Sequence, residues 1–90
     1  MTVEYRIELL PSAETELVKL PKKARAQVAR KIDGLAKEPR PSGCKQLRAA
    51  DGLYRIRSGD YRVVYRIEEG RLLVLVVRVG IRRDVYRRLP

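Results

Sequence analysis

"LYRIRSGDYRVVYRIE", residues 53–68, decides how this chain is folded. Two runs rich in Tyr, Ile, Val and Arg flank Gly59-Asp60, and two strand-like runs joined by two such residues form a β-hairpin. With Gly first the turn is type II′, since glycine takes a positive φ without strain. That register sets Ser58 opposite Tyr61, Arg57 opposite Arg62, Ile56 opposite Val63, Arg55 opposite Val64, and Tyr54 opposite Tyr65. Side chains alternate along a strand, so the hairpin sorts into two faces. Tyr54, Ile56, Tyr61, Val63, Tyr65 and Ile67 form the face that belongs against helices. Arg55, Arg57, Arg62 and Arg66, with Val64 among them, form the other. Like charges directly opposite one another destabilise a strand pair, so the Arg57–Arg62 pairing calls for a reason.

After the hairpin, "EG" leads into "RLLVLVVRV" (71–79), a third strand whose all-apolar centre predicts an inner position covered on both faces. Before it, "VEYRIEL" (3–9) alternates with period two and reads as a half-buried strand carrying Val3, Tyr5, Ile7 and Leu9 on one side. "PSAETELVKL" (11–20) starts a short helix with Ser12 as N-cap and Glu14 and Glu16 near its positive end. Pro21 closes that helix. "KKARAQVARKIDGLAKEP" places Ala24, Val28, Ile32 and Leu35 on one stripe at helical spacing, and Pro39 ends it. Residues 40–52 read as a loop. The tail "RRDVYRRL" has room for one or two helical turns. The expected architecture is α+β over a single domain, residues 1–90: β-α-α-β-β-β, with two helices on one face of a small, mostly antiparallel sheet and an optional short C-terminal helix.

Composition narrows the partners. The chain carries 15 Arg and 6 Lys against 11 acids, a formal charge of +10 in 90 residues. Such a field favours polyanions, and an excess of Arg over Lys favours phosphate, whose oxygens match the guanidinium fork. Exposed strand charges also protect sheet edges from aggregation. Edge protection is usually served by Lys and needs a single charge, whereas Lys is absent from residues 46–90 and at least three arginines converge here. The clustering therefore points to anion binding. The single cysteine, Cys44, cannot form an internal disulfide, which suits a reducing compartment. The N-terminal segment lacks a signal-peptide apolar core, and "LLVLVV" (72–77) is too short to span a membrane. A cytoplasmic location is expected.

The available chemistry is restricted. Without histidine, a cysteine cluster, a spaced carboxylate group or a phosphate-cradling glycine loop, metal, thiol and nucleotide-loop chemistries have no support. An Arg-rich site with Tyr remains. Arginine stabilises a charged phosphorane well but stays protonated, so it is a poor general base. The proton acceptor is then Tyr86 with its pKa lowered by arginines, another residue, or RNA or solvent itself.

"GLYRIRSGDYRVVYRI" followed by "VGIRRDVYRRL", with the opening "LLPSAETELVKLP" and a basic helix, resembles the RelE/ParE superfamily of type II toxin–antitoxin toxins, and its RelE branch in particular. The resemblance covers nearly the whole chain. It implies a ribosome-dependent mRNA endonuclease that cleaves message in the A site, the 2′-OH attacking the adjacent phosphate with neither metal nor cofactor. A cognate antitoxin is implied as partner, together with the ribosome and mRNA, and no membrane. By the same resemblance Arg62, Arg82 and Tyr86 are the catalytic positions and Arg55 and Arg57 bind RNA; Arg83, which follows Arg82 after the third strand, is expected to bind RNA beside them. Relatives often carry Lys where this chain has Arg55 and Arg57, and His where it has Ile81, so the general base is not identified. Two rivals remain: a ParE-like toxin that inhibits DNA gyrase, and a non-enzymatic RNA-binding module.

Overall fold

A computed structural model of the chain describes residues 3–48 and 52–81. The elements are β1 (Arg6–Leu9), α1 (Pro11–Val18), α2 (Lys22–Gly34), β2 (Lys45–Arg48), β3 (Leu53–Ser58), β4 (Tyr61–Glu68), a 3-10 turn (Glu69–Arg71) and β5 (Leu73–Ile81). They form one five-stranded sheet in the order β1-β5-β4-β3-β2. Only β1 runs parallel to its neighbour, β5; the remaining pairs are antiparallel. The α+β architecture with two helices on one face is as the sequence predicts. The optional C-terminal helix lies outside the described residues.

The hairpin has the expected register throughout, from Ser58↔Tyr61 to Tyr54↔Tyr65. Gly59 has φ +61, and Leu72 is the only non-glycine with positive φ among the described residues, so Asp60 keeps a negative φ as a type II′ turn requires. Three local details differ from expectation. Residues 45–48, read as loop, form edge strand β2, because an exposed edge is held by ladder bonds to β3 and needs no apolar alternation. Helix α1 is capped at Leu10 with no side-chain cap hydrogen bond, because Pro11, with φ preset for a helix, starts it one residue before Ser12. Helix α2 stops at Gly34 with Leu35 as its cap, well before Pro39.

Val28, Ile32 and Leu35 bring the apolar stripe of α2 onto Ile56, Val63, Tyr65 and Ile67 of the hairpin and Val74, Val76 and Val79 of β5. Each such side chain, fully buried, contributes roughly 1.5–3 kcal/mol, which fixes the helical face of the sheet. Strand β5 lies between β1 and β4 and is largely buried, the inner position its apolar run predicts.

A polar clamp ties the segment after α2 to the sheet. The Tyr65 hydroxyl donates to the Pro39 carbonyl at 2.7 Å, and burial pushes the phenol's pKa up. The Tyr65 ring stacks on Tyr54, with centroids 5.9 Å apart. Arg40 lies over the Tyr54 ring at 5.1 Å, donates from Nε to the Tyr54 hydroxyl at 3.1 Å and pairs with Glu69 at 2.7 Å. Tyr5 donates to the same carboxylate at 2.6 Å. That hydrogen bond, with Arg40, holds the Glu69 carboxyl below its ordinary range. Among the described residues no helix is long and apolar enough to cross a membrane.

Candidate functional site

The arginine face is built by β3, β4 and β5 on the side of the sheet away from the helices. Its rows follow the strand register. Arg57, Arg62 and Gly80 lie side by side, and next to them Arg55, Val64 and Arg78. Arg66 stands one step further along, between Leu53 and Leu75. A glycine beside Arg62 leaves that guanidinium uncovered from β5. The floor between the arginines is apolar: Leu53, Val64 and Val77 are buried together, with Leu10, Leu47 and Leu75 packed around them.

That apolar setting changes the character of the charges. Arg55 is only 7% exposed and Arg62 only 5%, whereas Arg57 is exposed. The arginine stems lie over the second apolar cluster, and only part of each buried head reaches solvent. The Nε atoms of Arg55, Arg62 and Arg66 are buried with no hydrogen-bond partner among the described residues. Arg62 makes one weak contact, from Nη1 to the Tyr61 carbonyl at 3.5 Å, at the edge of useful geometry. The nearest acid on the same strand face, Glu68, pairs with Arg71 at 3.3 Å instead. A buried donor left unmatched costs about 1–3 kcal/mol, and more when charged. An anion arriving over this face would meet the guanidinium charges and those of their N–H donors that reach solvent.

A β-bulge adds a member that the sequence reading missed. Val64 pairs with Arg78 and Tyr65 with Val76, so Val77 is an extra residue on β5. The bulge sends Val77 into the apolar floor and puts Arg78 in the arginine row. Glu16 of α1 fixes that position. Its carboxylate accepts the Val79 N–H at 2.9 Å and lies 3.0 Å from Arg78 Nε. Strand β1 stops pairing at Val76, so beyond it this side chain caps the open edge of β5. An isolated Arg-Val-Gly triplet at a strand end gave no signal of this; only the two-against-one register reveals it.

The sequence-predicted residues thus divide. Arg55, Arg57 and Arg62 are brought together on one face as predicted. Arg82, Arg83 and Tyr86 lie outside the described residues. No group of three or more His, Cys, Asp or Glu side chains placed to hold a metal ion occurs among the described residues. What the face can do chemically is bind and stabilise negative charge on phosphate oxygens.

Comparison with known proteins assigns the lineage. The family model for the ParE toxin of the type II toxin–antitoxin system parDE matches residues 7–86. Toxin RelG of Mycobacterium tuberculosis is 35% identical over 85 residues, which are 93% of this chain and 98% of that protein. Toxin RelE of the same organism is 32% identical over 87 residues, 96% of this chain and 90% of the relative. The crystal structure of the RelBE2 toxin–antitoxin complex from M. tuberculosis contains a chain of the same fold, with TM-score 0.77 and 33% identity, covering 89% of this chain and 100% of that one. With two helices laid on a mixed five-stranded sheet as in those toxins, and with relatives spanning almost its whole length, the chain belongs to the RelE/ParE superfamily of type II toxin–antitoxin toxins.

Proposed function

We propose that the protein is a ribosome-dependent mRNA endonuclease, the RelE-like activity within its superfamily. The observation that carries this reading is the set of Arg55, Arg62 and Arg66, whose buried Nε atoms have no partner among the described residues. A surface that only protected a sheet edge would have no use for charges set into an apolar floor at such a cost.

In the proposed reaction the 2′-oxygen of a message nucleotide attacks its own 3′-phosphate. The bond from phosphorus to the next nucleotide's 5′-oxygen breaks, leaving a 2′,3′-cyclic phosphate and a 5′-hydroxyl. The proton lost by the 2′-OH is balanced by the one gained at the leaving oxygen. Arg62, with Arg82, stabilises charge on the phosphorane oxygens, and Arg55, Arg57 and Arg83 hold flanking phosphates. Tyr86 stacks on a base or relays the proton. None of the arginines serves as base, because the guanidinium stays protonated. The steps call for no metal or cofactor. The ribosome places the reaction in the cytoplasm, and a cognate antitoxin restrains it, as RelBE2 pairs toxin with antitoxin in M. tuberculosis.

The test is a translating extract supplied with the purified protein. New 5′ ends within codons of the translated message, found by primer extension, are expected, with little cutting of naked RNA. The family model carries the name of ParE, so DNA supercoiling by gyrase is assayed in parallel. Inhibited supercoiling without new 5′ ends would replace this reading with gyrase poisoning.

A further inference from the structure

Two cavities lie where α2 meets the outer edge of β3, round the sheet edge from the arginine face. One of about 370 Å³ is lined by Gln27, Arg30, Lys31, Arg57, Ser58 and Gly59. The other, about 360 Å³, shares Arg30, Lys31 and Arg57 and adds an apolar floor that includes Leu35, Pro41 and Ile56. Both fall in the size range of small-ligand sites. Among the described residues no carboxylate lines either one. Three cations converge on unneutralised space, and Arg30 and Lys31 are exposed. Arg57 belongs to both regions: it lines the two cavities and stands opposite Arg62 on the arginine face.

We infer that this groove holds the nucleotide next to the reaction centre on the same RNA strand. Its phosphate is bound by Arg30, Lys31 and Arg57, and its sugar and base rest on Leu35, Pro41 and Ile56. The inference rests on the nuclease reading above. It deepens that reading by giving the RNA a path from the arginine face around the edge of β3. Among the described residues the apolar floor carries no aromatic ring and no row of base-reading side chains, so recognition here is of backbone and is indifferent to sequence. An extended peptide is the other occupant such an edge could take. Strand β2 pairs with β3 only as far as Arg55, which leaves Ile56–Ser58 as a short open edge before the turn. Three residues make a poor template for an added strand, while three cations with no acid beside them among the described residues make a good one for phosphate.

The test reads binding, without cleavage or ribosomes. Fluorescence anisotropy of the full chain is measured with labelled 2′-O-methyl RNA, as a trinucleotide and as an oligomer of about twelve nucleotides, a length within the usual single-strand site sizes. The doubly substituted variant Arg30→Gln, Lys31→Gln should lose most of that one phosphate contact on the longer RNA. The slope of log K against log salt should flatten by about 0.7, which is about 5-fold in affinity at 0.1 M salt relative to 1 M. Trinucleotide binding should be unchanged. Arg62→Ala should weaken both RNAs. If Arg62→Ala weakens binding and the double variant does not, the groove inference is wrong and the nuclease reading stands. If neither affects binding, the arginine face is not an RNA site and the nuclease reading falls too. An unchanged RNA slope with lost binding of an acidic peptide would assign the groove to protein.

Discussion

Glu16 holds Arg78 by its side chain and Val79 by its backbone, with contacts of 3.0 and 2.9 Å. One carboxylate therefore fixes a bulged segment of β5 from the opposite face of the sheet. Glu16→Ala removes both contacts and should destabilise the fold by about 1–3 kcal/mol, the range for a charge-assisted hydrogen bond. Glu16→Gln keeps an oxygen for the Val79 N–H and should recover about half of the loss. Urea unfolding of both variants decides the matter. Equal losses would mean that the charge on Arg78 matters and the backbone cap does not.

Arg62 should show a trade between stability and activity. Its guanidinium is buried, faces Arg57 across the hairpin and has Nε without a partner. Arg62→Met keeps an apolar stem in the row beside Val64 while removing the unmatched charge and the repulsion. It should raise stability by about 1 kcal/mol and abolish growth inhibition. Arg57→Ala, at an exposed position, should leave stability within about 0.5 kcal/mol while also reducing toxicity. A less stable Arg62→Met protein would make this arginine a structural element and remove the main support for an empty anion site.

The contrast between these two arginines marks where the sequence was legible. Their pairing, their shared face and the glycine turn all followed from period-two alternation around Gly59-Asp60, because register in a tight hairpin is a local property. Their unequal burial did not follow. It depends on Leu10, Leu47 and Val77, which reach the same apolar floor from three other elements. The bulge at Val77 was hidden for a related reason: a run of valines and leucines looks the same with or without an extra residue. The clamp from Arg40 to Glu69 joins positions distant in sequence, and no periodicity announces it. For the tail that bears Arg82, Arg83 and Tyr86, the sequence offered only closeness to the end of the third strand, and the family resemblance gave Arg82 and Tyr86 their roles.

Tyr65 should govern the alkaline limb of stability. The buried phenol's pKa is raised, mainly by burial, while it donates to the Pro39 carbonyl. In the unfolded chain it ionises near 10. Above that pH the folded state holds a proton that the unfolded state releases, so stability falls as pH rises. Below pH 10 the contribution is fully present. Tyr65→Phe should lower stability by about 1 kcal/mol at neutral pH through the lost hydrogen bond, yet flatten the decline above pH 10. Thermal melts from pH 8 upward test this. Parallel curves for the two proteins would show that another group sets the limb.

Gly59 connects backbone geometry to the site. Its φ of +61 is what turns β3 into β4, and a Cβ built there meets nothing within 4 Å. Any penalty for a side chain is therefore conformational and not steric crowding by neighbours. Gly59→Ala should cost about 1–2 kcal/mol, the price of a left-handed residue. Gly59→Asn should cost less, because asparagine visits that region more readily. Both should keep Arg57 opposite Arg62, since the apolar face of the hairpin pins its register. Toxicity should then follow folded population alone. If Gly59→Asn folds as stably as the parent but is not toxic, the turn itself touches the RNA, and Gly59, which lines the groove beside Arg57, becomes part of the binding surface.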